Sequence, residues 1–364
     1  MRRFLNCTVL PLSLATTVAF VAGCSGGGSQ APATVAQPLT PQMNSVQPVR
    51  SEALLRGTNI NALPPGMRIP GVASTRRQAF VNVTGINAPG GNQTIIADAA
   101  SATVTVWGAA GQLNAILFDG ILANPEGLTT DSAESLYVAN TGLSNVIVYP
   151  KPYRSHKLTL NDAGEEPLDV AVSNTGLVAV TNYLTTALQP GSTSFYAAGS
   201  TTSCATIQDP EWITFIDDAF DASGNLFIDG QNSAGNTLVG EITGGCKATS
   251  IQTLTVANTI ASPGSVQVSH GAILIGDPLD LAIYTYAAPS HGALGSPTKT
   301  TLLAGANHPI SFAITNDGRH VWTADENASA AFAGKYNYPG GSFLTSLNDH
   351  LVPIGVAVNP AAVP

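Results

Sequence analysis

Charged residues are scarce in this chain: they make up 10% of its 364 residues. Exposed helix faces draw on Glu, Lys and Arg, so the shortage argues against a helical protein. Basic residues are the scarcer sign, with 14 Lys and Arg against 23 Asp and Glu and a formal charge of −9. No nucleic acid is expected as a partner, because displacing phosphate counterions takes clustered Lys and Arg. Only four cysteines occur, and Cys7 and Cys24 fall in the first 24 residues. There is no Walker loop and no dinucleotide fingerprint. None of the six histidines stands at His-x-x-x-His spacing, so no zinc motif is present. The one Gly-x-Ser-x-Gly match, Gly23 to Gly27, lacks the preceding strand that a nucleophile elbow needs. What is abundant is Gly (36), Pro (24) and apolar residues (44%). That is the composition of strands and turns.

The N-terminus reads as an address. Arg2 and Arg3 precede an uncharged, mostly apolar run from Leu5 to Val21, which closes on Val21-Ala22-Gly23-Cys24. A charged start, an apolar middle and small residues before a cut make a secretory signal. The apolar run is shorter than the roughly 20 residues that span a bilayer. Val-Ala-Gly-Cys resembles the bacterial lipobox. The resemblance implies a signal peptide over 1–23, lipidation of Cys24, and a cell-envelope location; Ser25 after the cysteine is similar to outer-membrane sorting in a Gram-negative cell. Residues 24–78 are expected to be a disordered Gly/Ser/Pro/Gln-rich tether. About 50 such residues reach on the order of 40 Å. Membrane attachment through the lipid alone and a monomeric state complete the expectation.

Residues 79–364 repeat. Gly127 to Tyr149 contains three short β-branched or aromatic segments, Leu128–Thr130, Leu136–Ala139 and Val146–Tyr149, separated by Asp, Ser, Asn or Gly clusters. The residue in the first turn, Asp131, finds equivalents at Ser173, Asp221, Ser269, Thr315 and Asn359, at intervals of 42 to 48 residues. The end of the second segment, Asn140, aligns with Asp98, Asn182, Gly230, Asp277 and Asp325. A third column is aromatic or apolar before small residues: Trp107, Tyr196, Ile242, Tyr286 and Tyr338. Four strands per unit at this period predict an all-β, six-bladed β-propeller of four-stranded blades. The first unit begins with second-strand text at Thr94, and the chain ends on first-strand text at Gly355–Asn359. The C-terminal strand is therefore expected to complete the N-terminal blade and remove an open edge. A competing register makes 79–83 the missing strand.

The phrases Pro125-Glu126-Gly127-Leu128-Thr129-Thr130-Asp131, Leu136-Tyr137-Val138-Ala139-Asn140 and Asn145-Val146-Ile147-Val148-Tyr149 resemble the NHL repeat. The resemblance covers roughly residues 94–359. NHL-like propellers include non-catalytic binding scaffolds, streptogramin lyases, the peptide-amidating lyase and gluconolactonase-type metalloenzymes. Fold analogy does not choose among these.

Candidate site residues come from the repeat. Each inner strand is preceded by a residue and a proline: Asn124, Glu166, Asp209, Ser262, His308 and Val352, with Glu211 competing for the displaced Asp209. Such a ring at the channel mouth could be merely hydrated, or could hold a divalent cation such as Ca2+ through carboxylates and imidazole. Gluconolactonase-type enzymes combine a Glu, an Asn and an Asp, for which Glu166 and Asn182 are suitable types. The Asp98, Asn140, Asn182, Asp277 and Asp325 column reads as turn caps. Cys204 and Cys246 open the fourth strands of successive blades; an exported chain permits a disulfide, but sites one blade apart can exceed the roughly 7 Å Cα limit. The leading expectation is a lipid-anchored, non-enzymatic binding or protein-interaction module for an envelope protein or small ligand, without a cofactor. The alternative is a metal-dependent lactonase or lyase at the channel mouth.

Overall fold

A computed structural model describes residues 80–82 (backbone), 92–118, 120–326, 331–348 and 350–360. The expected signal peptide, Cys24 and the expected tether lie outside the described residues. The described chain is all β apart from two 3-10 turns, Thr141–Leu143 and Gly245–Lys247. It forms six antiparallel blades. Blade 1 runs from the channel outward as Pro353–Asn359, Gln93–Asp98, Thr103–Trp107, Leu113–Leu117 and a fifth strand, Phe80–Asn82. Blades 2 to 6 follow in chain order. Their inner strands are Pro125–Thr130, Glu165–Val172, Thr214–Phe220, Val266–Ser269 and Pro309–Ile314.

The C-terminal strand closes the ring, pairing Gln93 with Asn359 through to Ala97 with Gly355. The competing register fails. Phe80–Asn82 pairs with Leu117–Ala115 on the outer edge of the same blade, not on the channel side.

Period-two alternation explains the apolar text of the second strands. Adjacent side chains point to opposite faces, and here both faces are buried. Ile95 joins Leu117, Leu136 and Tyr149 between blades 1 and 2. Ile96, next in sequence, joins Trp322, Ala313 and Val356 between blades 6 and 1. Leu226 and Phe227 divide in the same way between the blade 3/4 and blade 4/5 interfaces. The third-strand aromatic column is Tyr149, Tyr196, Tyr286 and Tyr336, all fully buried. Tyr336, not Tyr338, holds the position in blade 6. The strand ends at Asn337, which puts Tyr338 into the following turn.

The inner strands pose a particular problem. Each has one sheet neighbour, and its other edge faces the channel with unpaired N–H groups. The preceding blade supplies acceptors. The Asp218 N–H donates to Asp169 Oδ2 (3.3 Å), Val266 N–H to Asp217 Oδ1 (2.8 Å), Ile314 N–H to Gln267 Oε1 (3.0 Å), and Val356 N–H to Ser311 Oγ (3.3 Å). These four bonds stitch blades 3 to 4, 4 to 5, 5 to 6 and 6 to 1. At the two remaining junctions glycine lets backbones touch. A Cβ on Gly355 would sit 2.1 Å from the Glu126 carbonyl oxygen, and one on Gly127 2.0 Å from Asp169 Oδ1.

Gly355→Ala is therefore expected to destabilise the protein by about 1–3 kcal/mol, the usual range for overpacking. Gly340→Ala, whose nearest neighbour would be Asn337 Cβ at 3.9 Å, should leave the melting temperature unchanged. Equal melting of the two variants in calorimetry would contradict the tight junction.

Candidate functional site

Five of the six inner strands carry a register shift near their starting end. A bulge inserts one residue, bends the strand and re-aims its side chains. In blade 4 it falls between Phe215 and Asp218. Its extra residue leaves the Asp217 N–H without a ladder partner, and Asp229 Oδ1 accepts it at 3.2 Å. Asp229 Oδ2 accepts from Gly264 N–H at 3.0 Å, tying the bulge to the segment entering blade 5.

The bulge places Asp217 and Asp218 beside Asp169 of blade 3, at the inner end of a channel cavity of about 390 Å³. The cavity runs from this level to the mouth where the inner strands end, reaching Asp131, Ser132, Glu134 and Asn174. Val170, Val172, Phe220, Val268 and Val356 are among its walls. Asp169, Asp217 and Asp218 are 8%, 8% and 4% exposed. Burial holds all three carboxyls well above the ordinary range. Neighbouring charge adds to this: Asp218 acts on Asp169, Asp169 on Asp217, and Asp217 on Asp218. The N–H groups of Asp218 and Val266 pull Asp169 and Asp217 the other way, since they favour the ionised form. The Asp217 and Asp169 carboxyls also act on each other, raising Asp217 and lowering Asp169. Asp218 differs: neither oxygen has a hydrogen-bond partner of good geometry, although Thr181 and Asp169 are close enough to moderate its shift.

The residues expected from sequence lie elsewhere, each in its own local contacts. Asn124 has a left-handed backbone (φ 53°) and donates through Nδ2 to Glu126 Oε1 at 2.7 Å. Glu166 is buried in the blade 3 inner strand, and burial raises its pKa. Asn182 is fully buried within blade 3 and donates to Ser192 and Ser194 on the adjacent strand. Asp209 caps its own turn, accepting from Glu211 N–H at 2.9 Å. The His308 ring meets Glu326 at 3.1 Å. No hydrogen bond or ion pair joins any two of these five. Among the described residues, no three His, Cys, Asp or Glu are arranged to hold a metal ion. Of the second-strand column, Asp98, Asn140, Asp277 and Asp325 each accept an N–H from the segment leading into their own blade, all at 2.6 Å, whereas Asn182 bonds within its blade.

Cys204 and Cys246 form a disulfide with Cα atoms 5.2 Å apart. The distance is short because Cys246 sits in the Gly245–Lys247 turn, where Gly245 packs against Leu177 of blade 3.

The carboxyl group at the channel's inner end was not anticipated. The signal was present: Asp217-Asp218 inside a strand is unusual, since Asp is depleted there.

The raised pKa of Asp218 has a stability consequence. A buried acid of this kind supports the fold while protonated. That contribution is complete below the unfolded-chain value near about 3.9 and is lost as pH rises towards the folded value, at about 1.4 kcal/mol per pH unit. Asp218→Asn keeps the shape and cannot ionise. It should melt higher than the parent near about pH 8, with the gap closing towards about pH 4. Thermal melts in matched buffers check this; a variant that melts lower than the parent at the alkaline end contradicts it.

No family model matches the chain, and no curated protein matches it. Solved structures do. A chain of the nidogen/laminin complex superposes with a TM-score of 0.58 at 12% identity, covering 74% of this chain and 98% of that one. A protein of unknown function from Bacteroides caccae gives 0.56 at 9% identity, covering 74% and 99%. At these identities the likeness is one of fold: the six-bladed β-propeller.

Proposed function

We propose that this chain is a lipid-anchored, extracytoplasmic propeller acting as a non-enzymatic binding module that takes a small ligand into its channel. The channel cavity carries the reading. Its walls are inner strands held blade to blade by the hydrogen bonds from Asp169, Asp217, Gln267 and Ser311, so it is preformed, as small-molecule sites usually are. Three buried acids, Asp169, Asp217 and Asp218, stand at its inner end. The Val21–Cys24 motif and the tether sequence support attachment to a membrane with the propeller held clear of it. The Cys204–Cys246 bridge supports an oxidising compartment. A role in binding also agrees with the nidogen/laminin neighbour, itself part of a complex between proteins. The NHL-like phrases around Pro125–Tyr149 suit a scaffold of this kind.

Native mass spectrometry of the chain, gently extracted from its host's membranes, tests the reading. The expected mass exceeds that of the processed, acylated polypeptide by one small molecule, lost on denaturation. Cys24→Ser should leave an unacylated precursor. Acylated Cys24→Ser protein, or a wild-type preparation that never carries a ligand and shifts its melting temperature with no small molecule tested, contradicts the reading.

A further inference from the structure

The two faces of the propeller differ. The turns between second and third strands, and the segments leading into the inner strands, gather on the face where the inner strands start. None of these turns and segments contains a Lys or Arg. From Phe80 onward the chain has 22 acidic residues and 7 basic ones, and the 7 lie elsewhere. Asp209, Glu211 and Asp280 stand on the base-free face, half-buried or exposed. Its histidines are His308, which meets Glu326, and the buried His350. The face also exposes leucines. Leu143, Leu188 and Leu279 occupy the second-to-third-strand turns of blades 2, 3 and 5, and Leu351 the segment entering blade 1, each between 39% and 67% exposed. The other large exposed apolar side chains among the described residues, Leu302, Phe343 and Leu344, lie on outer strands. Large apolar side chains gathered on one face, with charge of one sign around them, suit a partner that is apolar and of opposite sign.

The chain itself supplies a matching segment. Residues 50–77 hold five arginines, Arg50, Arg56, Arg68, Arg76 and Arg77, against one acid, Glu52. Between them lie Leu54, Leu55, Ile60, Leu63, Met67 and Ile69. The segment also joins the propeller at the right place. Phe80 pairs antiparallel with Leu117, the last residue of its strand. The residues after Leu117 lead into the inner strand of blade 2, so the chain arrives at Phe80 on the base-free face. About 30 extended residues span at most about 100 Å, enough to cross that face. Being tethered to it, the segment acts at an effective concentration on the order of millimolar. Ion pairs that are weak singly then suffice together with the apolar contacts.

We infer that residues 50–77 dock on the face where the inner strands start, with their arginines on its carboxyls and their apolar side chains on its leucines. Guanidinium groups suit this surface because their planar fork meets carboxylates in pairs and tolerates partial desolvation. The docking does not depend on what the channel binds. It leaves the cavity uncovered, since the cavity opens on the other face, where the inner strands end. It also shortens the free tether to residues 25–49, about 25 residues with a reach on the order of 30 Å.

Photo-crosslinking in the detergent-solubilised full chain tests this. The photoreactive residue p-benzoylphenylalanine replaces Leu143, Leu188, Leu279 or Leu351 in turn, and Phe343 as a control on an outer strand. Mass spectrometry should find adducts within one chain to peptides of residues 50–77 from at least one of the four leucine positions, and none from the control. Changing the five arginines together to Gln should cut the yield at least about fivefold. Raising sodium chloride from about 0.05 to about 0.5 M should do the same in the parent, with no substitution to disturb folding. No adduct from any of the four positions, or equal adducts from the control, overturns the docking. A yield indifferent to both salt and the arginines overturns it as well. Adducts that join two chains overturn it in favour of a second copy on this face.

Discussion

The molecule depends on how its innermost strands satisfy their channel-facing edges. Six strands stand around one axis, and each would present unpaired N–H groups to a confined space. Side chains from the preceding blade meet that demand: a carboxyl group at blades 3 and 4, an amide at blade 5, a hydroxyl at blade 6. Where no side chain serves, at the junctions of blade 1 with 2 and 2 with 3, Gly355 and Gly127 bring the chains into contact. The same arrangement that closes the ring also sets the channel wall. Acids are thereby placed where solvent is excluded, so structure and chemistry share residues. Asp169 and Asp217 hold the next blade and line the channel at once.

Interblade packing provides the bulk of the burial around this belt. The six largest hydrophobic clusters correspond to the six interfaces, and the second strand of each blade feeds both neighbours through alternate side chains. A blade is thus not a unit that could stand alone. The last strand of the chain is the first strand of the first blade, so the ends are held by the same contacts as the middle. The disulfide adds a clasp between blades 3 and 4 at the outer rim.

Much of this fold was legible in the sequence. Turn residues such as Asp131 and Asp221 recur at a fixed interval because each must cap a hairpin through its own backbone. The orphaned strand text at Gly355–Asn359 named its own partner. Where the reading slipped, at Tyr338 for Tyr336, the cause was a turn lengthened by two residues, which periodicity cannot weigh. The site was much less legible. Glu166, Asn182 and His308 were chosen by position in the repeat, yet burial within blade 3 and a contact to Glu326 engage Asn182 and His308 locally. The Asp169, Asp217 and Asp218 grouping depends on a bulge, which shifts the side-chain phase by one residue and leaves no periodic trace. A pair of acids inside a strand was the one visible clue.

Amide hydrogen exchange tests the central claim most directly. The N–H groups of Asp218, Val266, Ile314 and Val356 should exchange as slowly as those within the sheets. Gln267→Ala should speed Ile314 alone, since its acceptor is the only one removed. If these four amides exchange as fast as a free strand edge, or if Gln267→Ala leaves Ile314 unchanged, the blades are not joined through these bonds and the account of the channel falls with them.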